Sequence, residues 1–217
     1  MTSPAAVIDA PASPSTILKT ETAGLHAKAE QSPFQRDLAK GRLPRAQYGR
    51  YLAQMLRVHE ALEARLWPLS GAEEAIGRVV RDDHRRVDAI RADLAFYGVD
   101  PADHPAEPAT AAVVAEIHRL AADRPLALLG MHYVLEGSAN GGRFIAMNVR
   151  SAYGLESGRG DRFLDPYGER QREIWGAFKT DLDACAFTEA QMADLLAGAA
   201  RMFDGVREIG DALHAAA

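Results

Sequence analysis

Apolar residues recur along this chain every three or four positions, the period of helices buried on one face. Between Thr16 and Glu30, Leu18, Thr22, Leu25 with His26, and Ala29 share a stripe and predict a first helix. Ser32-Pro33-Phe34 opens a short second helix that ends near Lys40-Gly41. From Pro44 to Trp67 the pattern is strong. Tyr48, Leu52, Met55, Leu56, His59, Leu62 and Leu66 form the inner stripe, Arg50, Arg57, Glu60 and Arg65 lie mostly elsewhere, and Pro68 stops the helix. Glu73 to Tyr97 reads as one helix closed by Gly98. A proline-punctuated loop over 101–108 follows, then helices over Ala111–Ala121 and Pro125–Ala152, a loop over Gly154–Gly168, and helices over Arg170–Ala184 and Glu189–His214. Strand-period alternation of useful length is missing. The expected fold is all-α, a single domain of about eight helices over 16–217. A Pro-, Ala- and Ser-rich arm at 1–15 is expected to be disordered.

Composition narrows the function. The chain has 217 residues, 47% hydrophobic and 25% charged, with a net charge of −5. It is long enough for one substantial core. No long basic stretch points to nucleic acid, and no long apolar run points to a membrane span. The first dozen residues lack the features of a secretory signal. One cysteine, Cys185, rules out internal disulfides and C-x-x-C-H haem attachment, so the cytoplasm is the expected compartment.

Two features carry candidate chemistry. His26 is a lone imidazole on the inner stripe of the first helix, with Lys19 two turns earlier, about 10 Å away on nearly the same face, and Glu30 one turn later, able to orient the ring. An isolated helical histidine is more often a hydrogen-bonded, half-buried residue than a ligand. The second feature is Glu136-Gly137-Ser138-Ala139-Asn140-Gly141-Gly142. Its three glycines oppose helix formation by about 2–3 kcal/mol together, and a close neighbour should compensate. That neighbour is either another helix or a flat cofactor approached by bare backbone. The glycine order matches neither a P-loop nor a dinucleotide fingerprint.

Taken together, four blocks resemble the haem oxygenase family, the biliverdin-producing enzymes. They are Leu18-Lys19-x-x-Thr22-x-x-Leu25-His26-x-x-x-Glu30, then Phe34-Gln35-Arg36-Asp37-Leu38-Ala39-Lys40-Gly41 followed by Ala61-Leu62-Glu63, then Tyr133-Val134-Leu135-Glu136-Gly137-Ser138 with Gly141-Gly142, and the C-terminal Phe178-Lys179 and Phe203. The likeness covers roughly 16–214, and the third block is similar to the bacterial, phytochrome-associated branch. It implies a haem-oxygenase-like fold in which His26 is the iron ligand and Gly137–Gly142 covers the distal face. Gly137, Ser138, Gly141 and His59 would then form the catalytic side. Lys19, Lys179 and Tyr133 would meet the propionates, Phe34 and Phe203 would line the macrocycle, and Gly142 would approach it. The distal aspartate of the animal enzymes corresponds to Ser138, so Asn140, His59 or Arg143 are the groups that could order water in its place.

The implied activity is O2- and reductant-dependent cleavage of haem b, both substrate and cofactor, to biliverdin, carbon monoxide and ferrous iron. Electrons would come from an external donor, a reductase or ferredoxin, since the chain has no flavin or nicotinamide fingerprint. A bacteriophytochrome pathway is the implied setting. The alternative is a non-catalytic haem-binding sensor or carrier on the same fold. A di-metal carboxylate enzyme would need Glu-x-x-His pairs, which the chain lacks. The remaining residues read as structural: Arg81–Arg86 as a solvated helix face, Cys185 as a small apolar residue, Trp67 and Trp175 as packing, and His84, His104, His118, His132 and His214 as exposed or structural.

Overall fold

In the computed structural model, which describes residues 12–215, the apolar stripes become ten α-helices. They are α1 (Pro14–Glu21), α2 (Ala23–Glu30), α3 (Pro33–Ala39), α4 (Arg45–Leu66), α5 (Glu74–Val79), α6 (Val87–Tyr97), α7 (Pro108–Asp123), α8 (Leu126–Tyr153), α9 (Gln171–Asp183) and α10 (Glu189–Ala215). There is no strand among the described residues. α4 is the central element. Tyr48, Leu52, Val58 and Leu66 on it are fully buried, and it packs on α6 and α7.

α8 and α10 make the most extensive helix pair. Their backbones approach because each contributes a glycine. A Cβ on Gly130 would lie 1.9 Å from the Leu195 carbonyl oxygen, and one on Gly198 would lie 1.8 Å from the Ala127 carbonyl oxygen. This crossing fixes the first half of α8.

Two expected helices are broken. The helix over 16–30 is split at Thr22, whose backbone leaves the helical region (φ −98°, ψ 0°) while its hydroxyl donates to the Leu18 carbonyl at 2.7 Å. Lys19 and His26 therefore sit on different helices. The helix over 73–97 is split into α5, a 3-10 turn at Asp82–His84, and α6. The cause is tertiary: Glu63 of α4 accepts from the backbone N–H groups of Arg86 (2.7 Å) and Val87 (3.1 Å) and so starts α6 with a carboxylate from another helix. His84 Nδ1 accepts from the Arg81 N–H at 3.2 Å.

The arm expected at 1–15 lies outside the described residues up to position 11. Pro14 and Ser15 belong to α1, and Ser15 gives its backbone N–H and its hydroxyl to Asp183 of α9 at 2.7 and 2.8 Å. No described helix is long and apolar enough to cross a membrane.

Candidate functional site

α2 and α8 each pack on α10 and have no extensive contact with each other among the described residues. α10 is thus a floor between them. α9 packs on α8 and on α1, and α3 packs on both α8 and α10. The α3 bridge is tight: a Cβ on Gly41 would lie 2.7 Å from the Asn148 carbonyl oxygen, and the Asn148 side chain donates to the Ala39 carbonyl at 2.7 Å.

On the α2 side, His26 is 57% exposed and stands edge-on to Phe203 of α10, with ring centroids 5.6 Å apart at 81°. Its Nδ1 lies 3.5 Å from a Glu30 carboxylate oxygen one turn on. That contact orients the ring and leaves Nε2 directed elsewhere. α2 has no fully buried residue, so the expected inner stripe of the first helix is carried by α1 through Leu18 and ends before His26.

Gly137, Gly141 and Gly142 of α8 have three different surroundings. A Cβ on Gly137 would touch the Trp175 indole at 3.2 Å. A Cβ on Gly142 would lie 2.3 Å from the Leu164 carbonyl oxygen, so this bare backbone is covered by the protein's own loop. Only Gly141 faces open space, with nothing within 4 Å. The missing side chain of Gly142 thus makes room for Leu164. Near Gly141, Phe144 is 70% exposed and Met147 57% exposed, an unusual display for large apolar side chains.

Ser138 is exposed, with its hydroxyl donating to the Leu135 carbonyl at 2.6 Å. Asn140 donates to the Gly137 carbonyl and accepts from Gln171. Tyr133 packs against Trp175 and Phe178, and burial with Asp183 nearby raises its phenol pKa. Lys19 is exposed on α1. Phe34 is corrected to core. It has no exposed surface, packing against Gly210 and against the Tyr51 ring at 4.9 Å.

His59 is also corrected. It lines a buried cavity with Trp67, His84, Arg86, His132 and Glu136, beside the α8 positions Leu135 and Glu136. At about 100° per residue these face away from Gly141. Burial, with Arg86 adding to it, lowers the His59 pKa to about 3. Burial lowers that of His84 to about 4, and lowers that of His132 well below the ordinary value. All three are neutral at pH 7. His132 Nε2 lies 3.3 Å from His84 Nδ1. Arg86 and Glu136 form an ion pair at 2.8 Å whose side chains are 5% and 1% exposed, so within the Arg81–Arg86 run Arg86 and His84 turn inward while Arg81, Asp82, Asp83 and Arg85 are exposed. A glutamate inside the apolar run Val134-Leu135-Glu136 was a signal for this, since a charge there requires a buried partner.

Sequence reasoning also missed a groove between α8 and α9. It is lined by Arg143, Phe144, Arg172, Trp175 and Lys179, together with Asn140, Gln171 and Gly176, and contains no acid. Lys179 lies 5.9 Å over the Trp175 ring. Arg172, Gly176, Lys179 and Asp183 recur along one stripe of α9, and the Asp183 end is the one bonded to α1. Three cations beside an indole and a phenyl ring suit a flat ligand bearing carboxylates. No group of three or more His, Cys, Asp or Glu among the described residues is arranged to hold a metal ion.

The family model described as "Heme oxygenase" matches residues 13–210. No curated protein sequence matches the chain. The solved heme oxygenase from Leptospira interrogans is 26% identical, with 93% of this chain and 100% of that one covered at a TM-score of 0.85. Heme oxygenase-2 from the cyanobacterium Synechocystis, solved with heme and NO, is 24% identical, with 94% and 88% covered at 0.86. Heme oxygenase-1 from the same cyanobacterium, in complex with heme, is 18% identical, with 94% of each chain covered at 0.86. The two cyanobacterial likenesses speak to the fold, whereas the family model spans almost all of the described residues, and on that ground the chain belongs to the haem oxygenase family.

Proposed function

We propose that this protein binds haem between α2 and α8 and cleaves it, with O2 and an external reductant, to biliverdin, carbon monoxide and ferrous iron. The observation that carries the reading is the contrast between Gly141 and its neighbours: alone of the four α8 glycines it faces open space, with Phe144 and Met147 exposed further along the helix. The residues present fit haem. His26 offers an imidazole with a free face, and Phe203 and Glu30 hold its orientation. When bound, haem supplies the iron that activates O2 and the macrocycle that is opened.

This chain's own residues do the rest. His26 Nε2 would hold the iron. Gly141 keeps the distal wall low, and Gly137 admits Trp175, whose indole closes the α9 side. Lys179 and the groove arginines would meet the carboxylates, with Lys19 at the α1 end. The Ser138 hydroxyl gives its proton to the Leu135 carbonyl, which leaves its oxygen free to accept a hydrogen bond from a distal water. Electrons would come from a reductase or ferredoxin, in the cytoplasm, and the bilin would supply a bacteriophytochrome pathway.

The tied Ser138 proton favours one second reading, a non-catalytic haem carrier or sensor. Aerobic incubation with haem and ascorbate decides between them. Growth of bilin absorbance as the haem bands decay supports cleavage, and haem bands that persist without bilin support the carrier.

A further inference from the structure

The loop between α8 and α9 is held at more points than a connection of its length needs. Asp93 of α6, with no exposed surface, accepts from the backbone N–H groups of Arg162 (3.1 Å) and Phe163 (2.8 Å), one on each oxygen. Arg150 of α8 binds Asp161 and Asp165. Tyr97 donates to the Gly160 carbonyl at 2.7 Å. Between these anchors, Phe163 packs edge-on to Tyr51 and His59, and the Leu164 carbonyl enters the notch left by Gly142. That notch is next to Gly141. The Gly130–Gly198 crossing holds α8 well before this point, and the glycines in between weaken the helix by about 1 kcal/mol each.

We propose that residues 160–165 form a brace that sets the height of the Gly141 main chain over the ligand slot, with Asp93 and Gly142 as positioning residues acting through Leu164. This rests on the haem reading and deepens it. The brace touches no ligand. It fixes the back of α8 at the turn whose front is open. Only a carboxylate at position 93 can serve both amides, because asparagine would set an NH2 group against one of them.

Hydrogen exchange of the ligand-free protein tests this without haem. Asp93→Asn should speed exchange about tenfold both at 161–165 and at 138–146, as expected for losing one charge-assisted buried hydrogen bond, with the α4 interior unchanged. In the haem complex, the C–O stretching band of the ferrous carbonyl form should shift or broaden. Should Asp93→Asn fail to fold, Gly142→Ala answers the same question. Helix propensity alone would slow exchange in α8, whereas a methyl forced against the Leu164 carbonyl speeds it in the brace and in 138–146. Faster exchange confined to 161–165, with 138–146 unchanged, would overturn the brace. A wild-type protein that binds no haem would overturn the haem reading and leave the exchange result standing.

Discussion

The Arg86 guanidinium meets the Glu136 carboxylate at 2.8 Å behind α8, one residue before Gly137 turns its bare backbone to the Trp175 indole. α8 therefore has a polar, sealed back and an open front. The Arg86 head also lies over the Tyr167 ring at 4.4 Å. Burial raises the Glu136 carboxyl pKa, while Arg86 beside it pulls the other way. Removing Arg86 strands a buried carboxylate. Arg86→Ala should cost about 3–5 kcal/mol, read as a lower denaturant midpoint, and pairing it with Glu136→Leu should recover much of that loss. A loss no greater than for a surface arginine would show the pair to be dispensable.

Long apolar stripes made α4, α8 and α10 legible, because their period persists over many turns. The break at Thr22 was hidden because a threonine hydroxyl bonding back to Leu18 leaves no mark on the pattern. The break before α6 was hidden because its cause, Glu63, is a side chain of α4. The glycines of α8 announced close neighbours but not which ones: the indole, the Leu164 carbonyl and open space are tertiary facts. Arg172 carried no mark in the sequence, and Arg143 offered itself only as a group to order water, until α9 lay beside α8.

Three buried histidines give the stability a pH dependence of fixed sign. The folded state holds His59 at about 3 and His84 at about 4, with His132 also lowered, so it binds fewer protons than the unfolded chain. Their cost is absent above about pH 6.5 and grows as pH falls toward 4. Asp93, raised to about 6 by a smaller displacement, acts oppositely in the same window, as do the carboxyls of Glu63 and Glu136, which burial also raises. The melting temperature should therefore drop between pH 7 and pH 4.5, and His84→Gln should flatten the drop. A melting temperature that rises on acidification would contradict the burial of these rings.

His26→Ala removes the proposed iron ligand from a helix that buries nothing at that position. Helix content and melting temperature should change little, by under about 0.5 kcal/mol for an exposed site. The ferric haem complex should lose its histidine-ligated Soret spectrum and regain it with added imidazole. An unchanged spectrum without imidazole would assign the iron to another side chain.

Gly141→Leu tests the open front of α8. Because nothing lies within 4 Å of an added Cβ, the apo fold should tolerate leucine and gain about 1 kcal/mol of helix propensity. Haem affinity should fall at least tenfold, measured by titration at the Soret band. Stable protein with normal haem affinity would move the ligand off this face.

The cations of the α8–α9 groove make a separable contribution, because they would recognise carboxylates and not the ring. Truncating Lys179 and Arg172 to alanine removes two of the three positive groups lining it. Partly exposed charge-assisted contacts contribute about 0.5–1.5 kcal/mol each, so the double variant should bind haem roughly 5- to 150-fold more weakly. Iron protoporphyrin dimethyl ester, which has the same ring without the carboxylates, should bind wild type and variant alike. Equal losses for both ligands would mean that the groove acts by shape, through Trp175 and Phe144, and its charges would then need another occupant.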